Sequence, residues 1–238
     1  MPMKHFKYLL ALGLLLSFTT HAGLYSSGAL SGGIIPDGDP SGRVNTYTFS
    51  DIYDYNITDV VVTLNVSGGY NGNLYAYLTH GSGTAVLLNR VGVGASDPLG
   101  ASGSGLTTLI LASTALDNIH TSLGNGTTGT FAPDGRTIDP LSAAAAFDSA
   151  STAANFSAFN GTSPNGTWTL FFSDVVGGGG TPNLTSWSLD ITAVPEPANV
   201  ALGIFAGLFG VVGLVRSRSV RDRLHRCRVS IVQWVDAV

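Results

Sequence analysis

The middle of the chain is predicted to be an all-β sandwich, and two observations carry this prediction. The first is a series of short segments with apolar residues at every second position, rich in Val, Thr, Tyr and Leu, which is the pattern of half-buried strands. The second is the set of Gly, Asn, Asp and Ser clusters between these segments, in a chain with 31 glycines among 238 residues. Such clusters mark turns, and strands at this spacing predict a sandwich or barrel rather than βαβ units.

The strand candidates follow one another along the middle of the chain. The strongest is 57–66, where Val60, Val62, Leu64 and Val66 share one face. The other candidates are 44–49, 74–78, 85–88, 106–111, 168–172 and 187–191, with turns expected at 67–69, 71–73, 81–83 and 177–180. The Ala-rich segment 142–154 fits either a short helix or a loop.

Two tryptophans lie on the apolar faces of strand candidates. Trp168 alternates with Leu170 and Phe172, and Trp187 alternates with Leu189 and Ile191. Large aromatic side chains in these positions fill a sandwich core, whereas a stacking platform for a ligand needs exposed rings. We therefore expect both tryptophans in the core.

The last third of the middle region carries a specific pattern of landmarks. Gly166-Thr167-Trp168-Thr169-Leu170 is followed by Asp174 and then by Leu184-Thr185-Ser186-Trp187-Ser188-Leu189. Earlier landmarks in the same order are Ile35-Pro36-Asp37-Gly38, 60–66, Gly72-Asn73-Leu74 and 78–84. The whole, over roughly Ile34 to Ile191, resembles the P domain, also called Homo B, of kexin-like and other secreted subtilase-type proteases.

The resemblance implies a jelly-roll β-sandwich over residues 34–193. Asn73 stands where the family usually has aspartate, and the family's proline is absent from 78–84. In the family the P domain accompanies a separate protease domain. No such domain fits into this sequence, so protease activity is not carried over with the resemblance.

The N-terminal 22 residues read as a signal peptide. Lys4, His5 and Lys7 precede a compact apolar run at 8–18, and Thr20-His21-Ala22 places small residues where signal peptidase cuts. We expect cleavage before Gly23 and a flexible leader at 23–33. The alternative is a retained anchor, for which the run is short.

The C-terminal end has three parts in a fixed order over residues 194–219. Pro195-Glu196-Pro197 comes first, followed by the run 198–215, which is apolar except for Asn199. As a helix this run is about 27 Å long, just enough for a bilayer core. Arg216 and Arg218 follow at once, and such positive charge stays in the cytoplasm.

This order resembles the PEP-CTERM sorting signal of Gram-negative bacteria that produce exopolysaccharide. The resemblance implies that an exosortase, a membrane cysteine protease-transpeptidase, cuts near Pro195, Glu196 and Pro197. The chain departs from most members by running on through 220–238, where its single cysteine, Cys227, lies. The extension fits either an amphipathic cytoplasmic piece or an error in the gene model.

Charge and cysteine usage exclude several classes for the middle of the chain. Its only basic residues besides histidine are Arg43, Arg90 and Arg136, and its acids are all aspartates. A lysine-free acidic domain lacks the clustered cations that neutralise phosphates, so we expect no nucleic-acid binding. Without cysteine, the domain has no disulfide and no thiolate metal site.

Candidate catalytic residues are scarce. The exported region contains only His80 and His120, and it has no G-x-S-x-G nucleophile elbow. A triad needs a nucleophile, a histidine and an orienting acid, and neither histidine sits in such a pattern. The sequence therefore predicts a protein that is not an enzyme and that needs no cofactor.

Calcium is the one metal ion that the loops suggest. Asp37, Asp39 and Asp174 lie in or beside Pro/Gly-rich loops, and carboxylates in loops provide the oxygen ligands that Ca²⁺ prefers. Solvated turn aspartates are the competing interpretation.

Together these features predict an exported, non-catalytic protein of the cell surface or extracellular matrix, sorted by an exosortase. Its partners would be signal peptidase, the exosortase and exopolysaccharide or other envelope components, with residence in the inner membrane before processing. Two alternatives stay open. One is a carbohydrate-binding module, since jelly rolls often bind sugars; the other is an accessory to a protease encoded elsewhere.

Overall fold

The structure is a computed structural model that describes residues 21–50, 55–122, 127–195 and 197–216. The chain divides into two compact units, Thr19–Val194 and a second unit of Met1–Phe18 with Pro195–Val238. The predicted signal peptide up to residue 20, Glu196, Arg218 and the extension at 220–238 lie outside the described residues.

Within its described residues, the first unit has nine strands. They are β1 (His21–Ser26), β2 (Asp39–Phe49), β3 (Tyr55–Tyr70), β4 (Leu74–His80), β5 (Gly83–Asn89), β6 (Ser104–Ala112), β7 (Thr127–Phe131), β8 (Gly166–Asp174) and β9 (Asn183–Pro195). Short 3-10 helices cover Asn71–Asn73, Ile119–Thr121, Ala144–Ser149 and Phe156–Phe159. The Ala-rich segment thus contains a 3-10 turn within a loop.

The strands form two sheets, which confirms the all-β prediction. The five-stranded sheet has the order β1-β9-β3-β6-β7, and the four-stranded sheet has the order β2-β8-β4-β5. The pairs β1–β9, β2–β8, β3–β6, β4–β5 and β4–β8 are antiparallel, whereas β7 runs parallel to β6 at the edge of the larger sheet.

The core lies between the sheets because the alternating residues of both face inward. Val60, Val62 and Leu64 of β3 are fully buried, as are Leu74, Ala76 and Leu78 of β4 and Leu170 and Phe172 of β8. These faces are the ones that the period-two pattern predicts.

Both tryptophans belong to this core, as expected. Trp168 is 0% exposed and Trp187 is 1% exposed. The indole N–H of Trp187 donates to Asn45 Oδ1 at 2.8 Å, and that of Trp168 donates to the carbonyl of Pro164 at 3.0 Å. Each buried indole therefore keeps a hydrogen-bond partner, and the bond from Trp187 also links β9 to β2 in the other sheet.

Two expectations about local structure are wrong. The segment 23–33 is not simply a leader, because β1 pairs with β9 and places Gly23 opposite Ile191. Tyr25 packs inward, with its ring 3.9 Å from that of Tyr47, and this contact holds a strand whose own sequence alternates weakly.

The expected turn at 67–69 is also wrong, since β3 continues to Tyr70. Its register against β6 shifts between Val66 and Tyr70, and Gly68 and Gly69 have φ of 72° and 69°. Two glycines in the left-handed region bend the strand as a bulge instead of ending it.

The second unit contains helix α1 (Pro197–Arg216). Within the side chains described for it, 202–210 and 212, all are exposed, among them Leu202, Phe205, Leu208 and Phe209. Across the fully described part of the chain, no helix is both long enough and apolar enough to cross a membrane.

Candidate functional site

The predicted sorting motif falls where the last strand gives way to the helix. Strand β9 ends at Pro195 and α1 begins at Pro197, with Arg216 as its last residue. Proline suits the first position of a helix because the N–H that it lacks has no intrahelical acceptor there. The residue before a proline avoids helical angles, so Pro197 sets the boundary.

All three aspartates predicted to bind calcium lie at one end of the four-stranded sheet. Asp174 is the last residue of β8 and is 0% exposed. Asp37 precedes β2, and its two carboxylate oxygens accept from the N–H of Gly178 at 3.0 and 3.1 Å. The negative charge of Asp37 acts on Asp174 and contributes to raising the pKa of Asp174.

Asp39 has a different environment. Its Cα is the partner of Asp174 in the β2–β8 register, but its Oδ1 accepts from the N–H of Ser41 at 2.9 Å. Hydrogen bonds from Ser41 lower the pKa of Asp39. Among the described residues, no three His, Cys, Asp or Glu side chains come together in a group that could hold a metal ion, so the predicted trio does not form a three-carboxylate cage.

Asp174 is the most perturbed carboxyl group at this end of the sheet. Burial raises its pKa to about 6, and the charge of Asp37 acts in the same direction. The backbone N–H groups of Val176 and Gly38 act in the opposite direction. Oδ1 accepts from Val176 at 3.2 Å, while Oδ2 is buried without a hydrogen-bond partner.

Because Oδ2 of Asp174 has no hydrogen-bond partner among the described residues, it can accept a proton or bind a cation. Either event neutralises a negative charge that is otherwise buried and unpaired. Asp37 is the member of the predicted trio whose charge acts on Asp174, and calcium binding by these aspartates stays a prediction.

Asn73 explains why the loop after β8 keeps its shape. Its Nδ2 donates to the carbonyls of Val176 and Gly178 at 2.9 and 3.0 Å. A carboxylate cannot donate to these carbonyls. The asparagine that departs from the P-domain pattern therefore has a structural reason in this chain.

His80 is held by the core at both ring nitrogens. Nδ1 lies 3.2 Å from the carbonyl of Thr167, and Nε2 lies 2.8 Å from that of Ser163. The ring stacks on Trp168 with centroids 4.1 Å apart and planes 3° from parallel. With both nitrogens occupied by backbone oxygens, this ring has no lone pair directed at a substrate.

His120 belongs to a buried polar cluster with Asp134 and Arg136. Its Nδ1 lies 2.8 Å from Asp134 Oδ2, and its Nε2 lies 2.9 Å from the carbonyl of Val93. Asp134 is 0% exposed; its Oδ1 accepts from Arg136 Nη1 at 3.1 Å, and its Oδ2 accepts from the N–H of Asn89. The cluster ties three loops to β5.

A cleft of about 430 Å³ lies among the described residues. Polar side chains dominate its lining: Asp59, Ser113, Asn118, Thr152, Asn155, Ser157 and Asn160, beside Ala132, Pro133 and Phe156. Ser113 Oγ donates to Asp59 Oδ1 at 2.6 Å. The lining suits hydrogen bonding to a small polar ligand, but it brings no histidine beside a nucleophile.

Comparisons with known proteins find distant structural similarity. No protein-family model matches the chain, and no curated protein matches it. The fold is similar to part of a crystal structure of Aeromonas sobria serine protease (ASP) in complex with the chaperone ORF2, with a TM-score of 0.42 and 16% identity. The match covers 79% of this chain and 29% of that one.

Proposed function

We propose that the chain is an exported, non-catalytic protein of the cell surface or extracellular matrix, sorted through a C-terminal signal by an exosortase. In this proposal a P/Homo B-like jelly roll is the exported part. The apolar sequence run 198–215, of which only the side chains of 202–210 and 212 are described, holds the precursor in the inner membrane until the motif is cut in this proposal.

The observation that carries the proposal is the order of segments around residue 196. The last strand ends at Pro195, an apolar helix runs from Pro197 to Arg216, and Arg218 follows in the sequence. A helix whose described side chains are apolar and exposed needs apolar surroundings. Cytoplasmic retention of arginine then puts the motif on the outer side.

The motif is also suited to a protease by its backbone. Each proline ring fixes φ, and the residue before a proline avoids the α region. A sequence with this proline pattern favours an extended backbone, and an extended segment next to a bilayer is accessible to an enzyme embedded in it.

The chemistry of the described residues supports a role without catalysis. Both ring nitrogens of His80 and of His120 lie against protein oxygens. General-base catalysis needs a ring nitrogen within hydrogen-bond reach of the substrate's proton. The ring nitrogens of both histidines instead interact with oxygens of neighbouring loops and strands.

Localisation of a tagged chain tests the proposal. An epitope inserted at the exposed Gly81-Ser82 hairpin keeps both ends of the chain free. We expect the tag outside the cell in a host with its exosortase, and in the inner membrane when the exosortase gene is deleted.

Alanine replacement of Pro195, Glu196 and Pro197 should reproduce the deletion. Pro98→Ala, at an exposed loop proline, is the matched control and should leave localisation unchanged. The same distribution of the tag with and without the exosortase would contradict the proposal.

A further inference from the structure

The solvent-facing side of the four-stranded sheet carries a row of threonines that crosses all its strands. Thr46, Thr169, Thr79 and Thr84 are successive cross-strand partners in β2, β8, β4 and β5. Adjacent strands lie about 4.8 Å apart, so the side chains repeat at that interval. In the described part of the chain, none of these four hydroxyls makes a hydrogen bond to protein. We call these residues the threonine row.

A second pair extends the hydroxyl surface along two strands. Thr48 and Thr167 are partners on the same face, with their Oγ1 atoms 3.0 Å apart. Both side chains are exposed. The repeated Thr-x-Thr pattern of β2 and β8 therefore gives a hydroxyl surface two residues deep.

An apolar row lies on the other side of the threonine row. Val44, Phe171 and Tyr77 are successive cross-strand partners, and we call them the aromatic row. The rings of Tyr77 and Phe171 stack with centroids 4.7 Å apart and planes 15° from parallel, and Tyr75 approaches Phe171 edge-on at 6.3 Å. Val44 is 54% exposed and the rings are half-buried.

The two rows together differ from an ordinary exposed sheet. Threonine favours strands, so exposed threonines alone indicate only a strand. The aromatic rings on β4 and β8, the two central strands, expose apolar surface to solvent. This surface lies next to threonine hydroxyls that make no hydrogen bond to the described part of the protein. Neither row contains a Lys, Arg, His, Asp or Glu side chain.

These properties match one class of ligand. A sugar ring presents a face of C–H groups, which packs on an aromatic ring, and a rim of hydroxyls, which pairs with donors and acceptors. The rows lie on the open face of a sheet and not in a pocket, so the surface fits an extended polymer better than a single sugar. Since the rows carry no cationic side chain, an anionic polymer would find no ion pair there.

We propose that this face binds a linear neutral polysaccharide, with sugar rings against Phe171 and Tyr77 and sugar hydroxyls along the threonine row. The inference rests on the proposed function, because the face meets such polymers only once the protein is exported. It names the kind of envelope component that the sandwich would contact.

Affinity electrophoresis of the full chain in a zwitterionic, sugar-free detergent tests this inference. The probes are hydroxyethylcellulose, mixed-linkage β-glucan and galactomannan as neutral polymers, with alginate as the anionic one. We expect retardation by at least one neutral polymer and none by alginate.

The variants separate the two rows. The double variant Thr46→Val, Thr169→Val keeps side-chain shape but loses two hydroxyls, and Tyr77→Ala loses a ring; each should weaken binding about tenfold. Tyr77→Phe keeps the ring and should stay near the wild type. Thr63→Val, on β3 of the other sheet, is the matched control and should bind unchanged.

Several results would overturn the inference: no retardation by any neutral polymer, strongest retardation by alginate, or unchanged binding by both row variants when circular dichroism shows them folded. A wild-type dimer in light scattering that Tyr77→Ala dissociates would assign the face to a second copy of the chain instead. Normal export and processing of Tyr77→Ala in the host would show that such a failure leaves the sorting proposal intact.

Discussion

The buried carboxyl group of Asp174 gives the most quantitative prediction. Its pKa of about 6 in the folded chain stands above the ordinary value of 3.8 because the side chain is buried, with Asp37 adding negative charge nearby. Folding therefore favours the protonated acid. The contribution of Asp174 to stability is largest below pH 4, falls as the pH rises through 6, and stays lower above it.

The size of this effect follows from the difference between the two pKa values. At about 1.4 kcal/mol per unit, the ionised Asp174 costs about 3 kcal/mol of folding free energy at neutral pH. Between pH 4 and pH 7 the change is about 2 kcal/mol, which corresponds to about 4–8 °C in Tm for a domain of this size.

Asp174→Asn isolates the effect from the other titrating groups. The amide retains an acceptor for the N–H of Val176 but does not ionise. We expect its Tm to gain about 4–8 °C relative to the wild type as the pH rises from 4 to 7, measured by circular dichroism with chelator present.

An exposed aspartate provides the control for this experiment. Asp190→Asn, at an exposed position of β9, should track the wild type at every pH. If the curves of Asp174→Asn and the wild type run parallel from pH 4 to pH 7, the buried charge has no such cost and the reasoning is refuted.

Three further predictions follow from the same geometry. Millimolar Ca²⁺ should raise the Tm at pH 7 relative to chelator, by binding the folded state alone, and Asp37→Asn should remove the rise; equal melting with and without Ca²⁺ in the wild type would contradict a site here. Asp134→Asn should lower the free energy of unfolding by about 3 kcal/mol in urea titration, because it breaks the buried pair with His120, and a loss under 1 kcal/mol would contradict that reading. The chain should hydrolyse no generic peptide substrate, and activity lost in His80→Ala or His120→Ala would overturn the non-catalytic proposal.

Strict alternation is what made the main strands predictable. In β3 and β4 every second residue is buried between the sheets, so the sequence pattern follows directly from the packing. The position of both tryptophans follows for the same reason.

Elements that depend on a distant partner were not predictable. Strand β7 reads Thr-Thr-Gly-Thr-Phe and pairs in parallel with β6, so its own residues carry no alternation. Strand β1 is held by Tyr25 against Tyr47 and by β9. Sequence patterns report local periodicity, and these strands owe their structure to contacts far along the chain.

The candidate sites show the same division. The positions of Asp37 and Asp174 in or beside loops were enough to predict aspartates close together at one end of the sheet. The burial of Asp174 and the hydrogen bond that Asp39 accepts from Ser41 depend on the strand register, which the sequence pattern does not show. Likewise, Asp134 sits in an apparent turn, Pro-Asp-Gly, and nothing in that turn reveals its contact with His120. The threonine row appears only when four strands are placed in register.

Mass spectrometry of the mature protein from its native host tests the central claim most directly. The account predicts a product that begins at about Gly23 and ends near Pro195-Glu196-Pro197, without 202–215, the arginines or Cys227. A product that still carries 202–215, and that is unaltered when the three motif residues are replaced by alanine, would contradict it and identify the helix as a permanent anchor.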